Sequence, residues 1–271
     1  MPELPEVETV CRGLSKKILN STILKVKILN RKLRYDIPSN LENIILDKKI
    51  KGVLRRGKTG FFILNGNYII IFHLGMTGKF KIERKKYIHH KHDHLEIEFE
   101  NNVKLIYNDI RKFGYILITE KPVDIFNFNK VGCEPFLATS FKKILYAKLI
   151  KRKTSIKSIL LDQTFICGIG NIYASEILFN AKMSPFKKGE DISQNHFLEL
   201  LESIEFILSL AIKKGGSSIK NYSNVNNDLG YFQTKFKVYN RYGLNCNNCK
   251  SLINKVKQNG RTTFFCNKCQ S

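Results

Sequence analysis

Four cysteines near the end of the chain have a spacing that metal sites use. Two residues separate Cys246 from Cys249 and Cys266 from Cys269, and sixteen residues lie between the two pairs. Such knuckles supply four thiolates in a tetrahedron, which makes a closed structural zinc site. Disulfides are a poor alternative, because the acidic, proline-containing N-terminus is unlike a secretory signal and we expect a reducing cytoplasm. The spacing therefore predicts one structural Zn²⁺.

A Gly-Ile-Gly-Asn sequence ending at Asn171 stands between two segments with helical apolar spacing. Glycines before a helix N-terminus expose backbone N–H groups to an anion, and the Asn171 side chain can contact a phosphate. Such a turn is commonplace, but the basic run 151–153 and Lys157 precede it and favour a phosphate site.

The second residue is a proline, and removal of Met1 would expose its secondary amine. An α-amino group titrates at about pH 8, so a useful neutral fraction exists at neutral pH. Such an amine can attack a sugar C1′ and form an iminium, and the adjacent Glu3 can shuttle protons. A helix-capping segment without chemistry explains the same residues, and residue types alone favour that simpler interpretation.

The charge balance points to an anionic partner. Lys and Arg total 46 against 23 Asp and Glu, which gives a formal net charge of +23. The cations are scattered along the chain, as expected when they converge on a polyanion after folding. No basic amphipathic helix dominates the pattern, which disfavours a membrane surface, and no apolar run is long enough to span one. We therefore expect a cytoplasmic, nucleic-acid-binding protein.

The apolar pattern divides the 271 residues into a strand-rich part and a helical part. Helical spacing predicts an amphipathic helix over residues 4–19. Alternating strands with polar turns follow up to about residue 120, including a hairpin at Asn65-Gly66, and indicate a sandwich or barrel. Helical stripes follow residues 131–140, residues 215–235 should form a mobile loop, and a small cysteine module ends the chain.

The N-terminal sequence PELPEVETV resembles that of the formamidopyrimidine-DNA glycosylase family, and other motifs follow in the family's order. These motifs are Arg56-Gly57-Lys58, His73-Leu74-Gly75-Met76, Lys91-His92-Asp93-His94, Asn108-Asp109-x-Arg111-x-Phe113-Gly114, Asp162-Gln163, the segment from Gly168 to Glu176, and the four-cysteine finger. The resemblance spans nearly the whole chain. PELPEVE in place of PEGPE separates it from the endonuclease VIII branch.

The resemblance implies an α+β fold. It comprises an N-terminal β-sandwich with an opening helix (residues 1–130), a helix–two-turn–helix domain with a recognition loop (131–235), and a four-Cys zinc finger (236–271). The implied protein is a bacterial, nucleoid-associated monomer that acts on damaged double-stranded DNA.

The family's activity is that of a bifunctional DNA glycosylase and abasic-site lyase in base excision repair, which removes formamidopyrimidines and 8-oxoguanine. The resemblance implies that Pro2 is the Schiff-base nucleophile and Glu3 the acid. Lys58 corresponds to the proton donor linked to β-elimination. Arg261, at the finger tip, corresponds to the donor linked to δ-elimination.

The resemblance also assigns DNA contacts. Met76, Arg111 and Phe113 correspond to the triad that fills the gap left by the flipped base, which suits two apolar wedges and one cation. The other matching positions are His92, Arg152, Lys157, Asn171 and Tyr239. Residues 217–222 resemble the loop that closes over the damaged base. Thr77 and Asn221 stand at positions that differ from the commoner pattern, which leaves the preferred lesion open.

Two other functions are compatible with many of these features. An endonuclease VIII-like enzyme would prefer oxidised pyrimidines, and a non-catalytic protein would only bind abasic or distorted DNA. The presence of Pro2, Glu3 and Lys58 argues against the second of these.

Overall fold

The computed structural model describes residues 1–83, 87–120, 131–217 and 231–271. These residues form two compact units, residues 1–128 with 214–231 and residues 129–213 with 232–271. In the described part of the chain, no helix is long and apolar enough to cross a membrane.

The first unit begins with a helix and continues as β-strands. Its helices are α1 (Leu4–Ile18) and α2 (Leu41–Ile45), and its strands are β1 (Ile23–Ile28), β2 (Ile50–Arg56), β3 (Thr59–Leu64), β4 (Ile69–His73), β5 (Lys79–Glu83), β6 (Asp93–Phe99), β7 (Lys104–Asn108) and β8 (Tyr115–Thr119). The strands pair antiparallel in two four-stranded sheets, of order β1-β6-β7-β5 and β2-β3-β4-β8.

The core of this unit joins the two sheets. Phe62 and Phe72 of the second sheet pack against Phe80 of the first, with ring centroids 5.7 and 4.9 Å apart. The apolar face predicted for α1, which includes Val7, Leu14 and Ile18, is buried in the same core. Because both sheets bury alternate side chains between them, the unit is a sandwich. The predicted opening helix and the hairpin at Asn65-Gly66 are confirmed.

The second unit is helical and ends in a hairpin. Its helices are α3 (Lys142–Leu149), α4 (Ile156–Leu161), α5 (Asn171–Asn180) and α6 (Gln194–Lys213), and its hairpin pairs β9 (Asn254–Gln258) with β10 (Arg261–Phe265). The helical stripes predicted from the sequence converge on one core, and Phe179 of α5 packs with the cysteine module through Val238 and Ile253. The expected α+β class is confirmed.

Candidate active site and zinc centre

The N-terminal segment that holds Pro2 and Glu3 is buried. Glu3 is 3% exposed and precedes α1, and its backbone N–H donates to Glu6 Oε2 at 2.8 Å. Glu6 is also buried, and its other oxygen, Oε1, accepts hydrogen bonds from the backbone N and Oγ of Ser217 at 2.8 and 3.0 Å. One carboxylate therefore holds both the start of α1 and the first residue of the segment expected to close over the base. The other residues of that segment, Asn221 among them, lie outside the described residues.

Lys58 lies in the tight turn between β2 and β3 and is mostly buried. Arg55 fixes this turn, because it donates to Glu8 of α1 at 2.7 Å and to the carbonyl of Gly57 at 3.2 Å. Burial alone would raise the pKa of Glu8, but hydrogen bonds from Arg55 and Arg12 outweigh it and lower the pKa below its usual value. The carboxylate is therefore ionised at neutral pH and can hold the Lys58 turn against α1.

His73, at the end of β4, is a neutral neighbour of Lys58. Burial, with the charges of Lys58 and Arg34, lowers the pKa of His73 to about 4. Its Nδ1 accepts a hydrogen bond from the backbone N of Gly75 at 2.9 Å, and its ring stacks on Tyr115. Protonation of Nδ1 would remove the acceptor of that hydrogen bond. The geometry and the lowered pKa therefore both favour the neutral ring.

Met76, Arg111 and Phe113, the three residues expected to fill the DNA gap, are all exposed in the first unit. Met76 and Phe113 are 40% and 46% exposed, so neither occupies the core position that its residue type would favour. The guanidinium of Arg111 lies 4.6 Å from the centre of the Phe113 ring. His92 is half-buried, and its carbonyl accepts a hydrogen bond from Asp109 N.

Asn171 is the first residue of α5, and its Nδ2 donates to the carbonyl of Thr262 in the finger at 3.0 Å. Its Oδ1 is buried and has no hydrogen-bond partner among the residues that the structure describes. The preceding glycine turn is shaped by Gln163, which accepts from Gly168 N and donates to the Ile169 carbonyl, both at 2.9 Å. The amide of Asn171 thus joins the helix start to the finger.

Lys157, which the resemblance assigns as a phosphate partner, is buried in the second unit. Its side chain is 1% exposed, and its ammonium donates to the Thr262 carbonyl at 3.1 Å and to Thr263 Oγ1 at 2.8 Å. A cation held this way satisfies an acceptor of the exposed Thr262 and one of the buried Thr263, both in β10. Its type and place beside a basic run indicated a surface cation, whereas its side chain is buried where it bonds to β10.

Arg152 and Tyr239 each have a defined intramolecular partner. Arg152 forms an ion pair with Asp162 at 2.5 Å. The backbone N of Tyr239 donates to buried Glu176 at 2.8 Å, and its ring packs edge-on against Phe264. Glu176 also accepts from the backbone N–H groups of Lys237 and Val238, so it fixes the segment that presents Tyr239.

The four finger cysteines converge at one point. Their sulfur atoms all lie within 4.8 Å of one another, with Cys246 to Cys269 at 3.9 Å and Cys249 to Cys266 at 3.4 Å. Zinc–sulfur bonds of about 2.3 Å in a tetrahedron place the sulfurs about 3.8 Å apart, so the residues fit the metal. The predicted structural zinc site is confirmed. Arg261 is exposed at the start of β10, directly after the turn Asn259-Gly260.

Sequence reasoning missed Glu6, His73 and Asp109 as residues that organise the site. Glu6 lies three residues after the helix-capping Glu3, a capping-box spacing that could have identified it. His73 and Asp109 stand inside the recognised motifs, but their individual roles depend on partners distant in the sequence.

Comparisons with known proteins agree with this arrangement. Residues 1–116 match the formamidopyrimidine-DNA glycosylase N-terminal domain, residues 131–223 its H2TH domain, and residues 243–271 the zinc finger found in FPG and IleRS. A formamidopyrimidine-DNA glycosylase of Wolbachia sp. subsp. Brugia malayi is 40% identical over 272 residues, covering 100% of both chains.

Two solved structures of the Lactococcus lactis protein have the same fold. A point mutant of that protein in complex with DNA containing Fapy-dG is 37% identical and has a TM-score of 0.90, with 99% of each chain covered. The wild-type protein in complex with DNA containing an oxidised pyrimidine is 36% identical, with the same TM-score and coverage. With domain matches over most of its length and a full-length relative at 40% identity, this chain belongs to the formamidopyrimidine-DNA glycosylase family.

Proposed function

We propose that the chain excises oxidised purines from duplex DNA and then cleaves the strand at the abasic site through the amine of Pro2. Membership of the family makes it a DNA glycosylase and abasic-site lyase of base excision repair. The observation that carries the residue assignment is the buried Pro2–Glu3 segment, tied through Glu6 to Ser217. A mere helix cap needs no such link to a distant loop.

The chemistry requires Pro2 to be the first residue. Met1 precedes it here, so its nitrogen is an amide, and removal of Met1 is part of the proposal. The freed amine attacks C1′, the glycosidic bond breaks, and its electron pair leaves with the base, which takes a proton from Glu3. Loss of the ammonium proton frees the nitrogen lone pair, which forms the iminium as the C1′–O4′ bond breaks and O4′ leaves with that electron pair and takes up a proton. Abstraction of a C2′ proton then expels the 3′-phosphate, with Lys58 as proton donor, and Arg261 assists departure of the 5′-phosphate.

The exposed Met76, Arg111 and Phe113 are proposed to enter the duplex where the lesion leaves it. Extrusion of a base costs a few kcal/mol, and apolar side chains in the gap offset part of this cost. The stacking of Arg111 on Phe113 leaves guanidinium N–H groups for the orphaned base.

His92, Arg152, Asn171 and Tyr239 are proposed to contact the DNA backbone. For Asn171, its place at the start of α5 and its bond to the Thr262 carbonyl of the finger support this contact. Lys157 supports this contact indirectly, because it fixes the strand that Asn171 touches.

We further propose domain boundaries at 130/131 and 235/236, action as a monomer, and residence on nucleoid DNA. The net charge of +23 and the division of the motifs among three segments support these assignments. Sedimentation of the free protein and of its complex with a lesion duplex would test the monomer.

Oxidised pyrimidines are the alternative substrate, since the Lactococcus lactis relative is known in complex with DNA that contains one. Release of 8-oxoguanine faster than thymine glycol from matched duplexes supports the purine preference, and the reverse order overturns it.

Borohydride trapping on abasic DNA tests the lyase and separates it from simple binding. A covalent protein–DNA adduct attached at Pro2, located by peptide mass analysis, supports the proposal. Tight binding to abasic DNA without any adduct would instead indicate a non-catalytic lesion-binding protein.

A further inference from the structure

Two loops of the first unit carry the proposed gap-filling residues. The turn of residues 74–78 presents Met76, and the loop of residues 109–114 presents Arg111 and Phe113. The inference rests on the proposed gap-filling role of these three side chains. That role depends on how the two loops are held together.

A side-chain network links the loops. Thr77 Oγ1 donates to Asp109 Oδ1 at 2.5 Å and accepts from the backbone N of Arg111 at 3.0 Å. Asp109 also accepts from Arg111 N at 3.2 Å and, through Oδ2, from Gly114 N at 2.8 Å. The Thr77 hydroxyl thus both donates and accepts a hydrogen bond, and the Asp109 carboxylate binds both ends of the 109–114 loop.

The same loops approach each other backbone to backbone. A Cβ atom on Gly75 would lie 2.4 Å from the carbonyl carbon of Phe113 and 2.5 Å from Gly114 N. A Cβ on Gly114 would lie 2.5 Å from the carbonyl oxygen of His73. No side chain fits at either contact, so the turn and the loop pack as one body.

Asp109 is itself anchored to β6. Its side chain is fully buried, and its backbone N donates to the carbonyl of His92 at 3.0 Å. His94 Nε2 lies 3.0 Å from the Asp109 carbonyl oxygen. The network therefore rests on a sheet strand, which is a rigid support for a functional loop.

We propose that Thr77 and Asp109 are positioning residues that lock the Met76 turn to the 109–114 loop, so that all three gap-filling side chains enter the duplex as one preformed wedge. Loops that are ordered before binding lose less conformational entropy when DNA arrives. Without this lock, each loop would have to order separately during base extrusion.

This role differs from direct reading of the damaged base by Thr77. Its only hydroxyl proton is already donated to Asp109, so donation to a base would require breaking the link. A lock affects every duplex lesion alike, whereas a base-reading residue changes the preference among lesions.

The test uses Thr77→Val, which keeps the shape and removes the hydroxyl, and Thr77→Ser, which restores it. Thr77→Val should weaken binding to lesion duplexes about tenfold, as expected for a lost hydrogen bond to a carboxylate. The loss should be equal for 8-oxoguanine and for an abasic analogue. Borohydride trapping on single-stranded abasic DNA should stay unchanged, because no base pair is opened there. Thr77→Ser should restore duplex binding.

Fluorescence of 2-aminopurine placed opposite the lesion reports insertion of the wedge directly, and the insertion rate should fall in Thr77→Val. In the double variant with Asp109→Ala, the two losses should be less than additive, because the bond between the two side chains is lost in either single variant. Thr139→Val, at an exposed site of the second unit, controls for the substitution itself.

Three results for Thr77→Val would each overturn the lock. They are duplex affinity equal to that of the wild type, a loss on single-stranded DNA equal to the loss on duplex DNA, and a changed preference among lesions. Failure of the wild-type protein to trap on single-stranded abasic DNA would overturn the proposed lyase, and this outcome is distinct from the other three.

Discussion

Glu6 accepts two hydrogen bonds from Ser217, a residue 211 positions later in the chain, while its second oxygen accepts the backbone N–H of Glu3. The carboxylate thus connects the proposed catalytic segment with the start of the proposed recognition loop. All three donors are satisfied by one buried anion, which an amide cannot replace, because its –NH₂ group would face a donor.

Glu6→Gln should therefore lower the free energy of unfolding by about 1–3 kcal/mol, the cost of buried donors that lose a charged acceptor. Base excision should also slow. Urea unfolding and single-turnover excision measure the two effects. Ser217→Ala, which removes only the Oγ bond, is the milder control. Unchanged stability and excision in Glu6→Gln would show that the link is dispensable.

Pro2→Gly should greatly reduce borohydride trapping and leave binding to an abasic analogue nearly intact. Glycine keeps a free α-amine but lacks the proline ring that supplies the secondary amine and its geometry. Trapping and fluorescence anisotropy on the same duplex measure both quantities. Undiminished trapping would assign the nucleophile to another residue.

Glu3→Gln should suppress base excision more than lyase action on a ready-made abasic site. A leaving base needs a proton, whereas an abasic site has no base to expel. Parallel time courses on 8-oxoguanine and abasic duplexes would reveal the difference. Equal loss of both activities would contradict an acid that serves the departing base.

His73 should make stability depend on pH. Because burial lowers its folded pKa to about 4, below the unfolded value of about 6.5, the unfolded chain binds more protons between these values. Its contribution is complete above about pH 6.5 and is lost as the pH falls towards 4, by about 2 kcal/mol between pH 7 and 5.

Urea unfolding of the wild type and of His73→Asn at both pH values measures this contribution. Asn can still accept from Gly75 N but does not titrate, so its loss between pH 7 and 5 should be smaller. Identical pH dependence of the two proteins would exclude His73 as the cause.

Arg261→Ala should weaken DNA binding without releasing zinc. The slope of log affinity against log salt should become shallower by about 1, the amount expected for one lost phosphate contact. Products should accumulate at the β-elimination stage. Chelation of the metal should instead unfold the finger, because four thiolates without zinc have little core to hold them.

Salt titrations, gel analysis of cleavage products and zinc measurement separate these effects. If Arg261→Ala keeps the wild-type salt slope and its δ-elimination products, the finger tip contributes neither a phosphate contact nor a proton.

Local patterns in the sequence predicted much of this protein. The amphipathic helix α1, the hairpin at Asn65-Gly66 and the cysteine knuckles are each defined by residues within a few positions of one another, where periodicity, turn chemistry and ligand spacing suffice. The order of motifs along the chain added the family and its activity.

Tertiary structure decided which side chains meet. Thr77 and Asp109 are 32 positions apart, Lys157 and Thr263 are 106 apart, and Glu6 and Ser217 are 211 apart. No local period relates such pairs, because burial and hydrogen bonding between them arise only when separate strands and helices pack. For the same reason Lys157, which the sequence places among surface cations, is buried against the finger, while the apolar Met76 and Phe113 remain exposed.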